Sequence, residues 1–143
     1  MKSYSLILAA FLTALISSTA NSAEVLLETE TSWDGGTFAY PTGKAQITAV
    51  ILHLEPGQDI PFHCHPIPTM GYVKNGSLYV ETASGAKQRF EEGDAVVEVM
   101  NTLHRGRAIG GPVDIIVFYA GAEGIPTTVL PDTKEANEWP CGM

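Results

Sequence analysis

An all-β fold, a sandwich or barrel in a single domain, is predicted by three features of this sequence. From Glu24 onward, short apolar or β-branched runs alternate with Gly, Pro and Asn, the texture of many short strands joined by turns. The same region shows no sustained helical periodicity. Its 143 residues, 45% hydrophobic and 17% charged, contain no linker, repeat or low-complexity tract and suit one core.

Taken in order, the chain begins with a lone Lys2, an apolar run from Tyr4 to Ile16 and then small residues. That pattern reads as a secretory signal peptide over residues 1–23, because the run is short for a bilayer span. The expected location is a periplasm or the exterior. "VLLETET" (residues 25–31) is expected as a first strand, and "SWDGG" interrupts it. "QITAVILHL" (Gln46 to Leu54) is long enough for a buried strand, and "EPGQDIP" breaks it. "GYVKNGSLYVET" predicts two strands in a hairpin, with Asn75-Gly76 in a type I′ turn. "ASGAKQ" and "RFEEGD" read as turns, "AVVEVM" and "PVDIIVFYAG" as strands, and "TKEANEW" as a short helical turn.

Charge excludes some partners. Removing residues 1–23 takes Lys2 and no acid from 8 basic and 16 acidic residues, leaving a net charge of about −9. Such a chain repels phosphate backbones, so nucleic acid is not an expected partner. No basic amphipathic stretch points to a membrane surface. Cys64 and Cys141 are bound for an oxidising compartment, where a disulfide between them is an open option. There is no CxxC pair, no G-x-S-x-G nucleophile motif and no phosphate-cradling glycine loop.

Chemistry concentrates in "PFHCHPIPTMGYVKNGS" (Pro61 to Ser77), which holds two of the four histidines. On a strand, His63 and His65 point to one face, with Cβ atoms roughly 6–7 Å apart. They can converge on one ion, while Cys64 faces away. On spacing alone, H-x-H also fits hydrogen-bonded surface histidines.

The context of these histidines resembles the cupin family. Gly57, five residues, His63-Cys64-His65 and then Gly76 resemble its first motif, and "GDAVVEVMNTLHRGRA" its second, with Gly93 and His104 in place. The likeness covers about residues 45–120 of an expected domain 24–143. It implies a double-stranded β-helix, or jelly-roll barrel, with a divalent transition metal (Fe, Zn, Ni, Cu or Mn) on His63, His65 and His104. It also implies a small-molecule ligand or substrate and a homodimer. The motif's glutamate falls at Thr69, or at Met70 with a one-residue shift. Thr69 offers a hydroxyl to a bound water, Met70 a thioether to copper. Val99, Asn101 and Ala108 stand where the second motif has Pro, Gly and Asn.

Glu98, inside the apolar "AVVEVM", is the candidate replacement carboxylate, as base or extra ligand. An outward, solvated Glu98 fits the sequence equally well. Arg105 and Arg107 flank His104 and either reach a substrate carboxylate or lie on a solvated face. Most of the aromatics, including Tyr119, read as core, and His53 as structural; Trp139 is a candidate cover for a barrel opening. The leading functional expectation is a metal-dependent enzyme acting on a small organic substrate, with an oxygenase among the options. The alternative is a metal- or ligand-binding barrel without turnover.

Overall fold

The computed structural model describes residues 22–142. Apart from Ser22 and Ala23, the expected signal peptide lies outside the described residues. Seven strands and one short helix follow one another: β1 (Ala45–Leu54), β2 (Thr69–Asn75), β3 (Ser77–Thr82), β4 (Lys87–Glu91), β5 (Ala95–Val97), β6 (His104–Ala108), β7 (Val113–Ala122) and α1 (Glu135–Glu138). They form two antiparallel sheets, of order β1-β7-β2-β5 and β4-β3-β6. Leu78, Val80, Phe90 and Ala108 of the smaller sheet share one core with Val73, Val96, Ile115 and Val117 of the larger. The predicted all-β fold is observed, and it is a jelly roll.

Alternation explains which side chains enter that core. On β7, Val113, Ile115, Val117 and Tyr119 point inward, while Phe118 is 44% exposed on the outer face. On β2 the inward set is Thr69, Gly71 and Val73.

Two local expectations are overturned. The strands on either side of Asn75-Gly76 do not form a hairpin: β2 pairs with β5 and β7, and β3 with β4 and β6. Gly76 alone separates them as the chain passes from one sheet to the other. It has φ +84°, and Asn75 is not in the left-handed region. A Cβ on Gly76 would collide with the Pro112 carbonyl oxygen. We expect Gly76→Ala to destabilise the fold by about 2–4 kcal/mol, from a left-handed Ala and an overpacked contact together. Gly85→Ala is the control: its φ is +98° but nothing lies near, so only about 1–2 kcal/mol is expected. Urea unfolding of both variants measures the difference, and equal losses would remove the steric role of Gly76.

The second concerns "VLLETET", which forms no strand; it makes one isolated bridge, Thr31 to Thr37, and Val25, Leu26 and Leu27 stay exposed. Strands β4 and β6 have no counterpart among the predicted elements, and β4 runs across residues that were expected to be turns, held there by its pairing with β3. Among the described residues no helix is long and apolar enough to cross a membrane.

Candidate metal centre

Three segments bring the histidines together. His63 and His104 form an antiparallel bridge, each backbone N–H donating to the other's carbonyl at 3.0 and 2.9 Å. His65 bridges to Met100, and its carbonyl accepts from Asn101 N–H at 2.8 Å. The ring centroids lie 4.4–5.0 Å apart, and one ligand nitrogen from each ring lies within 4.8 Å of the others. All three residues are buried.

Each ring is oriented by a backbone carbonyl at Nδ1. His63 is 2.7 Å from Pro61 O, His65 2.7 Å from Thr127 O and His104 2.8 Å from Thr102 O. A carbonyl only accepts, so each Nδ1 carries a proton; Nε2 of His63 and of His65 then presents a lone pair, while Nε2 of His104 faces Glu98. Metal-binding histidines are held in this way, with the second ring nitrogen donating outward.

Glu98 is the fourth member. It follows β5, and its N–H donates to Thr69 O at 2.9 Å. Continuing the β2–β5 register of Met70 opposite Val97 places Glu98 opposite Thr69, so both side chains share the inner face. The carboxylate that the first motif would carry at residue 69 is thus supplied from the neighbouring strand line. The inward reading of Glu98 is the observed one. Its side chain is 16% exposed, and Oε2 lies 3.0 Å from His104 Nε2. Both atoms are fully buried, and neither makes a well-directed hydrogen bond.

The electrostatics follow from this crowding. Burial lowers the His63 pKa, with His104 adding to the effect. Burial also lowers His65, to about 4. Burial opposes charge on Glu98 as well, yet the adjacent His104 outweighs it and holds the carboxyl at about 2. For His104 burial works downward, but the Glu98 contact wins and raises its pKa. A proton between these two groups answers the same need that a cation would: buried lone pairs facing one another. The donor set of three imidazoles and one carboxylate fits a divalent transition metal.

The other candidates sort clearly. Thr69 is buried and lines the inner cavity, its hydroxyl donating to Ile67 O at 3.2 Å. Met70 lines a groove on the opposite face of the sheet, so it is no ligand. Arg105 binds Glu81 Oε1 through Nε at 2.7 Å and packs over Phe62, while Arg107 packs over Tyr79. Neither lines the cavity, which leaves the outer-face reading. His53 is a surface residue, with Nδ1 2.6 Å from Asp114 Oδ1. Trp139 lies beside Gln46 and Pro126, away from the histidines, and covers no opening of their cavity. Asn101, where the second motif has glycine, adopts φ +54°; Asn tolerates the left-handed region better than most residues. The substitution preserves the turn before His104.

The sequence left two features undecided. Tyr119 lines the cavity 5.6 Å, ring to ring, from His65; the alternation of β7 was the available signal. Cys64 and Cys141 form a disulfide.

Facing antiparallel sheets that enclose three imidazoles and a carboxylate define a jelly-roll protein with a candidate metal centre. Residues 50–119 match the family model described as Cupin domain, and the chain belongs to the cupin superfamily. Among curated proteins, nothing matches it significantly. Similar solved structures include the DMSP lyase DddQ from Ruegeria pomeroyi (23% identity, TM-score 0.54, 70% of this chain and 48% of that one). A protein with a double-stranded β-helix domain from Klebsiella pneumoniae is 20% identical, with TM-score 0.51 over 66% of this chain and 82% of the other. An oxalate decarboxylase from Lactobacillus farciminis is 23% identical, with TM-score 0.51 over 59% of this chain and 26% of the other. The chain spans about half the length of the lyase and about a quarter of the decarboxylase. At these identities the likeness is one of fold.

Proposed function

We propose that this cupin binds a divalent transition metal through His63, His65, His104 and Glu98 and acts as a metal-dependent enzyme on a small organic substrate. One observation carries the reading. Three Nε2 atoms, each turned inward by a backbone carbonyl at Nδ1, converge with a buried carboxylate oxygen that has no well-directed partner. Uncompensated buried acceptors are unfavourable, so the arrangement is best explained by a cation.

When bound, such an ion supplies Lewis acidity, with electron transfer as well if it is iron, copper or manganese. The chain supplies the rest. Glu98, with Oε2 turned to the histidines, neutralises one unit of the ion's charge. Beyond the histidines lies a cavity of about 200 Å³, walled by Leu52, Ile60, Leu78, Val80, Ile115 and Val117. That wall limits water around the reacting atoms, and the volume suits a substrate of few atoms.

Elemental analysis of purified protein tests the metal, and Glu98→Gln tests the carboxylate. The substitution preserves shape and removes charge. We expect metal affinity to fall about 10–100-fold, the range for groups that tune a metal site, and any turnover to fall with it. Unchanged affinity and turnover would exclude Glu98 from both roles. Export and homodimer formation belong to the same proposal. The disulfide supports an oxidising compartment. Exposed Ile47, Ile51 and Phe118, on one outer sheet face, support self-association.

A further inference from the structure

The cavity is polarised from end to end, and its register shows how. Tyr119 on β7 stands opposite Thr69 on β2, which stands opposite Glu98 beyond β5. All three line the cavity. They form a row of oxygen-bearing side chains across one sheet, beside the histidine cluster. Moving along β7 from Tyr119, the next inward residues are Val117 and Ile115; along β3, Val80 and Leu78 likewise face in. The far end therefore offers no charge and no hydrogen-bond donor. Arg105, the nearest guanidinium in sequence to the site, is turned outward onto Glu81.

Charge narrows the choice. Three neutral imidazoles, one ionised carboxylate and a divalent cation leave a buried site of net +1. A monoanion brings it to zero, whereas a second negative charge would be stranded against an apolar wall.

The geometry points to a substrate class: a small monocarboxylate with a short apolar tail, its carboxylate at the metal end and oriented by the hydroxyls of Tyr119 and Thr69. This rests on the metal reading above and assigns Tyr119 and Thr69 as positioning and specificity residues. Tyr119 is 8% exposed and lines the cavity together with Thr128. Its neutral phenol carries one O–H that can donate to a carboxylate. Thr69 is 1% exposed, and its hydroxyl donates to the Ile67 carbonyl at 3.2 Å, a long bond that it exchanges when it donates to a carboxylate.

The test is calorimetric titration of the zinc-loaded full chain with butyrate, succinate and butylamine, beside zinc stoichiometry by elemental analysis. Butyrate should bind at least about tenfold more tightly than succinate, since a buried unpaired charge is strongly unfavourable, and butylamine should not bind measurably. Tyr119→Phe should raise the butyrate Kd about tenfold, the loss expected for a hydrogen bond to a charged group, with zinc content and melting temperature unchanged. Thr69→Val provides a second reading if the phenylalanine variant folds poorly. Stoichiometric zinc with equal binding of butyrate and succinate, or with neither variant affecting butyrate, would overturn this inference and leave the metal centre standing. Failure of the wild-type chain to take up zinc or any other divalent metal would overturn both.

Discussion

His104→Ala should lower metal affinity by at least about 100-fold, the upper end of what is seen even for groups that merely support a ligand. It should also destabilise the metal-free chain by about 3–5 kcal/mol, as when one partner of a buried charged pair is removed. His104 is the most connected of the three imidazoles. Its backbone bridges His63 in both directions, its Nδ1 is fixed on Thr102 O, and its Nε2 lies 3.0 Å from Glu98 Oε2. Truncation leaves that carboxylate oxygen buried with neither a cation nor an imidazolium beside it. His63→Ala removes a ligand but leaves the Glu98–His104 contact, so its affinity loss should be similar and its stability loss smaller. Chelator competition reads the first quantity and urea midpoints the second. A His104→Ala chain that held metal at wild-type affinity would place the metal elsewhere.

These effects depend on an arrangement that was partly legible in the sequence. The strands ending at Leu54 and containing Val113–Ala120 were legible because long apolar runs bounded by Gly and Pro have few other readings, but the first was expected to be buried and is instead a largely exposed edge strand, with only Leu54 buried. The histidines were legible because spacing on a strand determines side-chain direction. Glu98 was not, since one acid in an apolar run fits either face. The pairing of Met70 with Val97 decides its direction, and pairing between distant strands leaves no local trace. The same non-locality misled the reading of Asn75-Gly76. That dipeptide favours a turn, but whether its flanks pair depends on what else competes for their edges. In this fold β7 and β5 take β2, while β4 and β6 take β3. Strand β6, "HRGRA", is poor in β-formers and is held by its partner β3. Conversely, residues 25–30, expected as a strand, join neither sheet, although Val25–Leu27 lie beside the edge strand β5.

Breaking the disulfide, by Cys141→Ser or by a dithiol reductant that delivers two electrons and two protons to yield two thiols, should have the other large effect. Cys64 and Cys141 close a loop with a sequence separation of 77, for which the chain-entropy model gives about 4–5 kcal/mol of stabilisation. The consequence at the metal centre comes from position. Cys64 sits between His63 and His65 and is fully buried, and its backbone bridges Val129 in both directions at 2.9 Å. One residue past Cys141, Gly142 receives the Leu103 N–H at 2.8 Å and donates to Asn101 O. The C-terminal segment is therefore fastened to both histidine-bearing stretches, and Thr127 in the same region orients His65. Releasing Cys141 frees one of these fastenings and leaves the direct His63–His104 bridge intact. The affinity loss should thus be smaller than for a missing ligand, about tenfold, the low end for altered support of a metal site. Urea unfolding and chelator competition, each with and without reductant, separate the two effects. A Cys141→Ser chain should no longer respond to reductant. If reduction lowers stability in the wild type while metal affinity stays constant, the disulfide braces the fold but not the centre. The pairs Leu103–Gly142 and Cys64–Val129 would then suffice to hold the histidines in place.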